Sequence, residues 1–499
     1  MNLKVLEEET FELLLNNGGF QIADCGPLCS PVNSFEIKRD DKQRLLLTTH
    51  SDGNSKKDSR KFPDFPAGTV HSNIACVTLS SSDMTVVAKG VRPFDKNRRS
   101  NPVTRAYETT EKAWVDSLEA VPDDVGRVHQ LIEWVDNVDT HLYRWPHSLE
   151  ENLETTATKT LSGGDEPLTQ HAKEWSSSMR GCLRLNIAGN EIYIAPFQNH
   201  KRERPSGPGF ILYKKFPSED IRRKIRECLS FAFGLPMIYL GHTLLSEEFE
   251  FIGFKALTPY IIDEKSIYSL QALPPAPVGS KYATLIDPNV FSRTVNALFA
   301  HFDELNFQHI SWIYWHAVCS PTHAMPVQLG AGIEALQRAY RKLDKPQYET
   351  NLLDLTNAKR LKDEYLKMVE AMPIEEGEKE VLRNKASGLN DPPQHILNER
   401  FFASLSLDMG DKEMRAWQSR NKAAHGSTTK PGDSCELIRD THLLKNIFHR
   451  VIISMTGASD QYIDCYSPKF PIRQLRESVE ATDRFFSRGD RAPQYRRVA

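Results

Sequence analysis

Four prolines fall within the eighteen residues of "QALPPAPVGSKYATLIDP" (271–288), and this stretch limits how the chain can fold more than any other feature. Proline fixes φ and lacks a backbone donor, so neither a helix interior nor a central strand runs through such a segment. It reads as a linker, or as backbone draped over a surface, and it separates two textures. Ahead of it lie short β-branched runs between turn residues. Beyond it, apolar residues recur every three to four positions. At 499 residues the chain is too long for one compact core, so two or three domains are expected.

The first texture predicts strands at "RLLLTT" (44–49), "SNIACVTLS" (72–80) and "MTVVAKGV" (84–91), each bounded by Ser, Asp or Gly. The polar, breaker-rich insert at 51–68 reads as a mobile surface loop. From Asn101 the pattern turns helix-like in "TTEKAWVDSLEAV" and "VGRVHQLIEWVDNV". "CLRLNIAGNEIYIAPF" (182–197) reads as a hairpin turning at Gly189–Asn190, and "FILYKKF" and "EFEFIGFKAL" add strands around a helix in "IRRKIRECLSFAFGL". Helices are expected at 290–305, 310–318, 327–343, 352–372, 378–387, 395–405, 412–425 and 435–456. The fold class is therefore α+β. The expected domains are a strand-rich one (1–100), a mixed α+β one (101–288), an all-α bundle (289–470) and a basic tail (471–499).

Composition excludes some functions. Lys plus Arg (63) nearly balance Asp plus Glu (66), which is unlike a globally basic nucleic-acid coat. No apolar run approaches the roughly 20 residues that span a bilayer. "MNLKVLEEETFELLL" is acidic where a secretory signal is basic, so a cytoplasmic protein is expected. Of 8 cysteines only Cys25 and Cys29 lie close together. They make half a metal site at most, and free thiols in a reducing compartment are the simpler reading. No Walker loop or convincing G-x-G-x-x-G is present, and no metal or cofactor is implied.

The segment that points to chemistry is "AWQSRNKAAHGSTTK" (416–430). Stepping 100° per residue from Lys412 places Met414, Trp417 and Ala424 on one stripe, with Asn421 inside it and Arg420 and His425 on its edges. Gly426 ends this helix, and Asp433 with Glu436 suits the start of the next. Spacing alone proves little, because arginine, a short gap and histidine recur by chance, and a histidine also suits a helix C-terminus.

Around it, "RNKAAHG" follows the proline-containing "LNDPPQHILNERFFASLSL" and precedes a long apolar helix ending in "MTG", with "QYIDCY" after it. Together with "WIYWHAVCSPTHAMPVQLGAGIEALQRAYRKL" (312–343), this order resembles the C-terminal HEPN domain of the ApeA-like proteins over about Asn289 to Tyr466. The strand-rich part is similar to them in layout only. The resemblance implies a metal-independent ribonuclease of bacterial antiphage defence by abortive infection. It implies a homodimer in which two Arg–polar–His segments converge, here Arg420, Asn421 and His425.

Those residue types suit the reaction. RNA carries its own nucleophile, the 2′-hydroxyl, so cleavage needs a base, an acid and positive charge on the phosphate. Histidine populates both protonation states near neutral pH, arginine binds two phosphate oxygens at once, and asparagine can orient either. Two copies supply acid and base from different subunits. The expected substrate is RNA, with the accessible anticodon loop of tRNA as the leading guess, and a phage-derived trigger is implied. Two rivals stand beside this: a non-catalytic HEPN module that binds RNA or nucleotide as sensor or scaffold, and a toxin silenced by a partner. Of the remaining candidates, Glu334, i, i+4 from Arg338, reads as a helix-surface or bundle ion pair rather than as a direct participant. The clusters "HKRER" (200–204), "RRKIR" (222–226) and "DKNRR" (95–99) read as phosphate-tracking or simply solvated. His316, Cys319 and His323 read as packing rather than metal ligands.

Overall fold

The structure, a computed structural model, describes residues 9–17, 19–28, 31–52, 75–100, 107–121, 124–140, 143–161, 168–197, 206–259, 267, 270, 273–279, 285–343, 348–424 and 434–482. The protein is mixed α/β, with a large antiparallel sheet in its N-terminal part and helices toward its C-terminus. It divides into two compact units, residues 1–274 with 278–299, and residues 275–277 with 300–499. Among the described residues no helix is long and apolar enough to cross a membrane.

In the first unit α1 (Thr10–Asn17) precedes β1 (Gln21–Asp24), β2 (Ser34–Arg39), β3 (Leu45–Asp52), β4 (Cys76–Ser80), β5 (Thr85–Lys89), β6 (Arg92–Ser100), β7 (Tyr107–Val115) and β8 (Ser117–Ala120). There follow β9 (Gln130–Thr140), β10 (His147–Leu161), β11 (Leu168–Ile187), β12 (Asn190–Pro196) and β13 (Ser206–Tyr213). Helix α2 (Glu219–Phe233), β14 (Ile238–Leu245), β15 (Phe251–Leu257) and α3 (Pro288–Ala300) complete it. Among the described residues one sheet has eleven strands in the order β1-β4-β5-β8-β15-β14-β9-β13-β12-β11-β10, and a second has four in the order β2-β3-β7-β6. Alternation builds the core between them: Val77, Leu79, Val86 and Ala88 from the large sheet meet Ile37, Leu45, Leu47 and Val115 from the small one, with Phe11 of α1.

The strands at 44–49, 72–80 and 84–91 form as expected, as β3, β4 and β5. The insert at 51–68 lies largely outside the described residues. The structure departs from expectation in several places. The helix-like stretches between Thr109 and Val138 are β7, β8 and β9. Strand β9 runs between β13 and β14 with Leu131, Ile132, Trp134 and Val135 all buried, so both faces carry apolar residues and no alternation survives to separate strand from helix. The hairpin turns one residue earlier than expected: Ile187 pairs with Asn190, leaving Ala188 (φ 49°) and Gly189 (φ 77°) as a two-residue loop of the type with positive φ at both positions. The change of texture at residue 100 is not a seam in the large sheet, which takes β1, β4 and β5 from before it and the rest from after it. Helix α3, expected to open the helical domain, belongs to the strand-bearing unit, where Asn296 Nδ2 donates to Asn186 O (2.9 Å) and accepts at Oδ1 from Ala188 N (3.0 Å).

The second unit holds α4 (Phe307–Cys319), α5 (Met325–Tyr340), α6 (Leu355–Ala371), α7 (Glu376–Lys385), α8 (Gln394–Ser404), α9 (Asp411–Ala424) and α10 (Ser434–Thr456). Their bounds fall within a few residues of those expected because the ends are punctuated. Asp354 caps α6 by accepting from Thr356 N and Asn357 N, both at 3.0 Å, Glu375 and Glu378 make a capping box on α7, and Gly457 (φ 66°) follows α10. Helix α5 packs against α4, α9 and α10. The unit is not all helix: β16 (Gln461–Ile463) and β17 (Ile472–Gln474) pair after α10. The proline-rich segment is buried rather than draped at Ala276, and Pro275 O accepts from Ile463 N (3.2 Å) within this unit.

Candidate functional site

Helix α9 carries Arg420 and Asn421, and an ion pair fixes where it lies. Its buried face is Glu413, Ala416, Trp417 and Arg420, one position round from the expected stripe, and Met414 is only half-buried. The face turns because Glu413 goes inward. Its Oε1 accepts from Arg450 Nη1 of α10 at 2.7 Å, with both side chains fully buried, and its Oε2 accepts from Gly410 N (3.0 Å). Arg450 spends its other donors on Leu475 O (3.1 Å), Asp408 O (2.8 Å) and Arg476 O (3.2 Å). Burial pushes the Glu413 carboxyl above its usual range, against the pull of Arg450 and of the Gly410 N–H.

Two turns further along α9, Arg420 lies buried against α5. Its Nη2 donates to Glu334 Oε1 at 2.5 Å, and its Cζ stands 3.6 Å from the centroid of the Trp417 ring, which meets Phe402 of α8 edge-on. Gly330, one turn before Glu334, makes the approach feasible: a Cβ there would lie 2.7 Å from Arg420 Nη1 and 2.8 Å from its Cδ. The buried Nε of Arg420 finds no acceptor among the described residues, so the guanidinium keeps a donor in reserve.

The structure thus brings Arg420 together with Glu334, whose partner is Arg420 on another helix rather than the expected Arg338. Asn421 lies on α9, and nothing is described of its side chain; His425, Gly426 and Asp433 lie outside the described residues. Beside this face, a groove of about 460 Å³ between α9 and α10 is lined by Lys412, Arg415 and Arg439 together with Glu436, Asp440 and Tyr466.

The weaker candidates separate. In "RRKIR", Arg222 and Arg226 of α2 turn inward to Glu133 of β9, Arg222 at 2.7 Å, while Arg223 and Lys224 pair with Asp220 at 2.6 and 3.0 Å. That cluster is therefore neither a solvated face nor a phosphate track. "DKNRR" lies on exposed β6, and "HKRER" lies outside the described residues. His316 packs on Trp312 with ring centroids 3.9 Å apart, and Cys319 is buried. Cys25 is a half-buried free thiol, and Cys29 lies outside the described residues. Among the described residues no group of three or more His, Cys, Asp or Glu side chains is placed to hold a metal ion.

Sequence reasoning missed Glu413, Arg450 and Gly330. Gly330 had a signal, a glycine inside a strongly helical run beside "IEAL". The ion pair had none, because a charged residue on a helix reads as solvent-facing by default. No protein-family model, no curated protein and no solved structure matches this chain.

Proposed function

We propose that the protein is a metal-independent endoribonuclease of the kind its sequence resembles, an ApeA-like antiphage protein acting through a C-terminal HEPN domain as a cytoplasmic homodimer. The observation that carries the reading is Arg420: a guanidinium seated near the end of α9 by Glu334 and the Trp417 ring, with no acceptor for its Nε among the described residues, five positions before His425. A rigidly seated arginine suits a phosphate oxygen. Lys412, Arg415 and Arg439 along the adjoining groove add charge for the flanking phosphodiesters.

In this reading His425 takes the proton from a ribose 2′-hydroxyl. The 2′-oxygen bonds to phosphorus as the bond from phosphorus to the 5′-oxygen breaks, and the histidine of a two-fold copy gives the departing oxygen its proton. Arg420 bears the charge gathering on the phosphate, and Asn421 orients it or the histidine. The products are a 2′,3′-cyclic phosphate and a 5′-hydroxyl, with tRNA anticodon loops as the leading substrate. Sequencing of RNA ends after expressing the wild type and His425→Ala tests this: new 5′-hydroxyl ends are expected with the wild type alone. Identical ends from both would remove His425 from the mechanism.

One observation favours the rival, a non-catalytic HEPN module that binds RNA or nucleotide. Glu334 already neutralises Arg420, as in a purely structural pair. On that reading the wild type retains RNA and leaves its ends unchanged.

A further inference from the structure

A cavity of about 600 Å³ opens in the first unit, at the end of the large sheet where β9 begins and β13 and β14 finish, far in sequence from α9. Its volume lies in the range of sites for small organic molecules. Tyr193 and Ala195 of β12, Phe210 and Leu212 of β13 and Leu149 of β10 form an apolar, largely aromatic wall. Phe216 and Phe249 stand at the mouth, 40% and 39% exposed. Phe249 sits at φ 62°, a conformation that glycine adopts without strain and a phenylalanine does not.

Gln130 Oε1 is buried with no hydrogen-bond partner among the described residues, while its Nε2 is committed to Glu247 O (3.3 Å). Lys214 and Lys215 follow β13, whose Tyr213 pairs with Leu131 next to Gln130, and both lysines line the rim with the exposed Glu247. Glu191 occupies Lys214 at 3.2 Å, so Lys215 is the lysine left to meet an acid, and His129 is exposed at the rim. Cys182 in the wall is held as a thiol by burial and offers no nucleophile.

We propose that this cavity is a binding site for a small planar aromatic acid, with its ring against Tyr193, Phe210 and Phe249 and its acid group at Lys215. The cavity belongs to the first unit and Arg420 to the second, and the test of the cavity needs no RNA cleavage. The dye 8-anilinonaphthalene-1-sulfonate has this chemistry, an aromatic body with an acid. Its relative N-phenyl-1-naphthylamine keeps the body and lacks the acid. Titrated by fluorescence into the full chain, both are expected to saturate at one tight site per chain. Lys215→Glu should weaken the sulfonate dye about tenfold and leave the neutral dye within about twofold. Phe249→Gly, which relieves the positive φ and so preserves the fold, should weaken both. The assignment fails if Lys215→Glu moves the two dyes equally or moves neither, or if Phe249→Gly binds both as the wild type does.

Discussion

Breaking the pair of Glu413 and Arg450 isolates what holds α9 in place. Both side chains are fully buried and 2.7 Å apart. Glu413→Leu leaves a guanidinium buried without its counter-charge, which costs about 3 to 5 kcal/mol. Arg450→Met leaves the carboxylate alone and also deprives Leu475 O and Asp408 O of their donor, each worth about 1 to 3 kcal/mol, so its loss is expected to be the larger. The double variant has no buried charge, and only the unmet Gly410 N–H and the two carbonyls, together about 3 to 9 kcal/mol, should remain. The cycle then returns the two isolated-charge penalties together, a coupling of about 6 to 10 kcal/mol, several times that of a surface pair.

Because the chain has two units, a single melting curve does not isolate this region. Amide hydrogen exchange on peptides from α9 and α10 reads the local opening free energy instead. Glu413 and Arg420 are seven residues, or about 10 Å, apart along the helix. The single variants should therefore also release protection at the arginine end of α9. A coupling below about 1 kcal/mol would refute the claim that this pair anchors the helix.

Two further outcomes follow from the electrostatics. His242 is held down to about 3 by burial first and then by Arg222, Lys255 and Arg226, with Tyr239 Oη 2.6 Å from its Nδ1. Its folded pKa lies below the unfolded value, so its contribution is complete above about pH 6.5 and falls as pH drops toward 3, by up to about 1.4 kcal/mol per pH unit. Urea unfolding of the first unit should lose less stability between pH 7 and 5 in His242→Gln than in the wild type, and an unchanged slope would exclude the histidine as the cause. On the proposed reading, Glu334→Gln keeps an acceptor for Arg420 and removes a charge that competes with phosphate. The KM for RNA should fall several-fold at low salt with kcat held, whereas Glu334→Ala, which also unseats Arg420, should lower kcat; equal effects of the two would remove Glu334 from the site.

The helical half was legible because its elements carry their own punctuation. Asp354, the capping box at Glu375 and Gly457 lie at helix ends, and the local period needs no distant partner to be read. The sheet was legible only where one face meets solvent, as in β4 and β5, whose inward residues alternate. At β9 the deciding information is the pairing to β13 and β14, whose partners lie about eighty to one hundred residues away, as in Ile211 with Glu133 and His242 with Glu133. No window along the chain contains it.

The candidate site shows the same limit in its charges. A charged residue reads as solvent-facing by default, yet Glu413 and Arg450 in one unit and Glu133, Arg222 and Arg226 in the other are buried, as is Arg420, which the wheel set only on the edge of the packing face. Each is tolerated only because a partner from another element meets it, and the identity of that partner is a property of the packing. That is why the wheel for α9 came out one position off: it took Met414 for the inner face, where the unseen cation on α10 had already claimed Glu413. Arg420 belongs to this buried set by its exposure and its acidic partner, and departs from it in one respect. Arg450 has all three of its nitrogens engaged, while Arg420 has a buried Nε with no acceptor among the described residues. Gln337 Nε2 and Asn398 Nδ2 are buried and unmet among the described residues in the same way, so what singles out Arg420 is its place five positions before His425 and not the unmet donor alone.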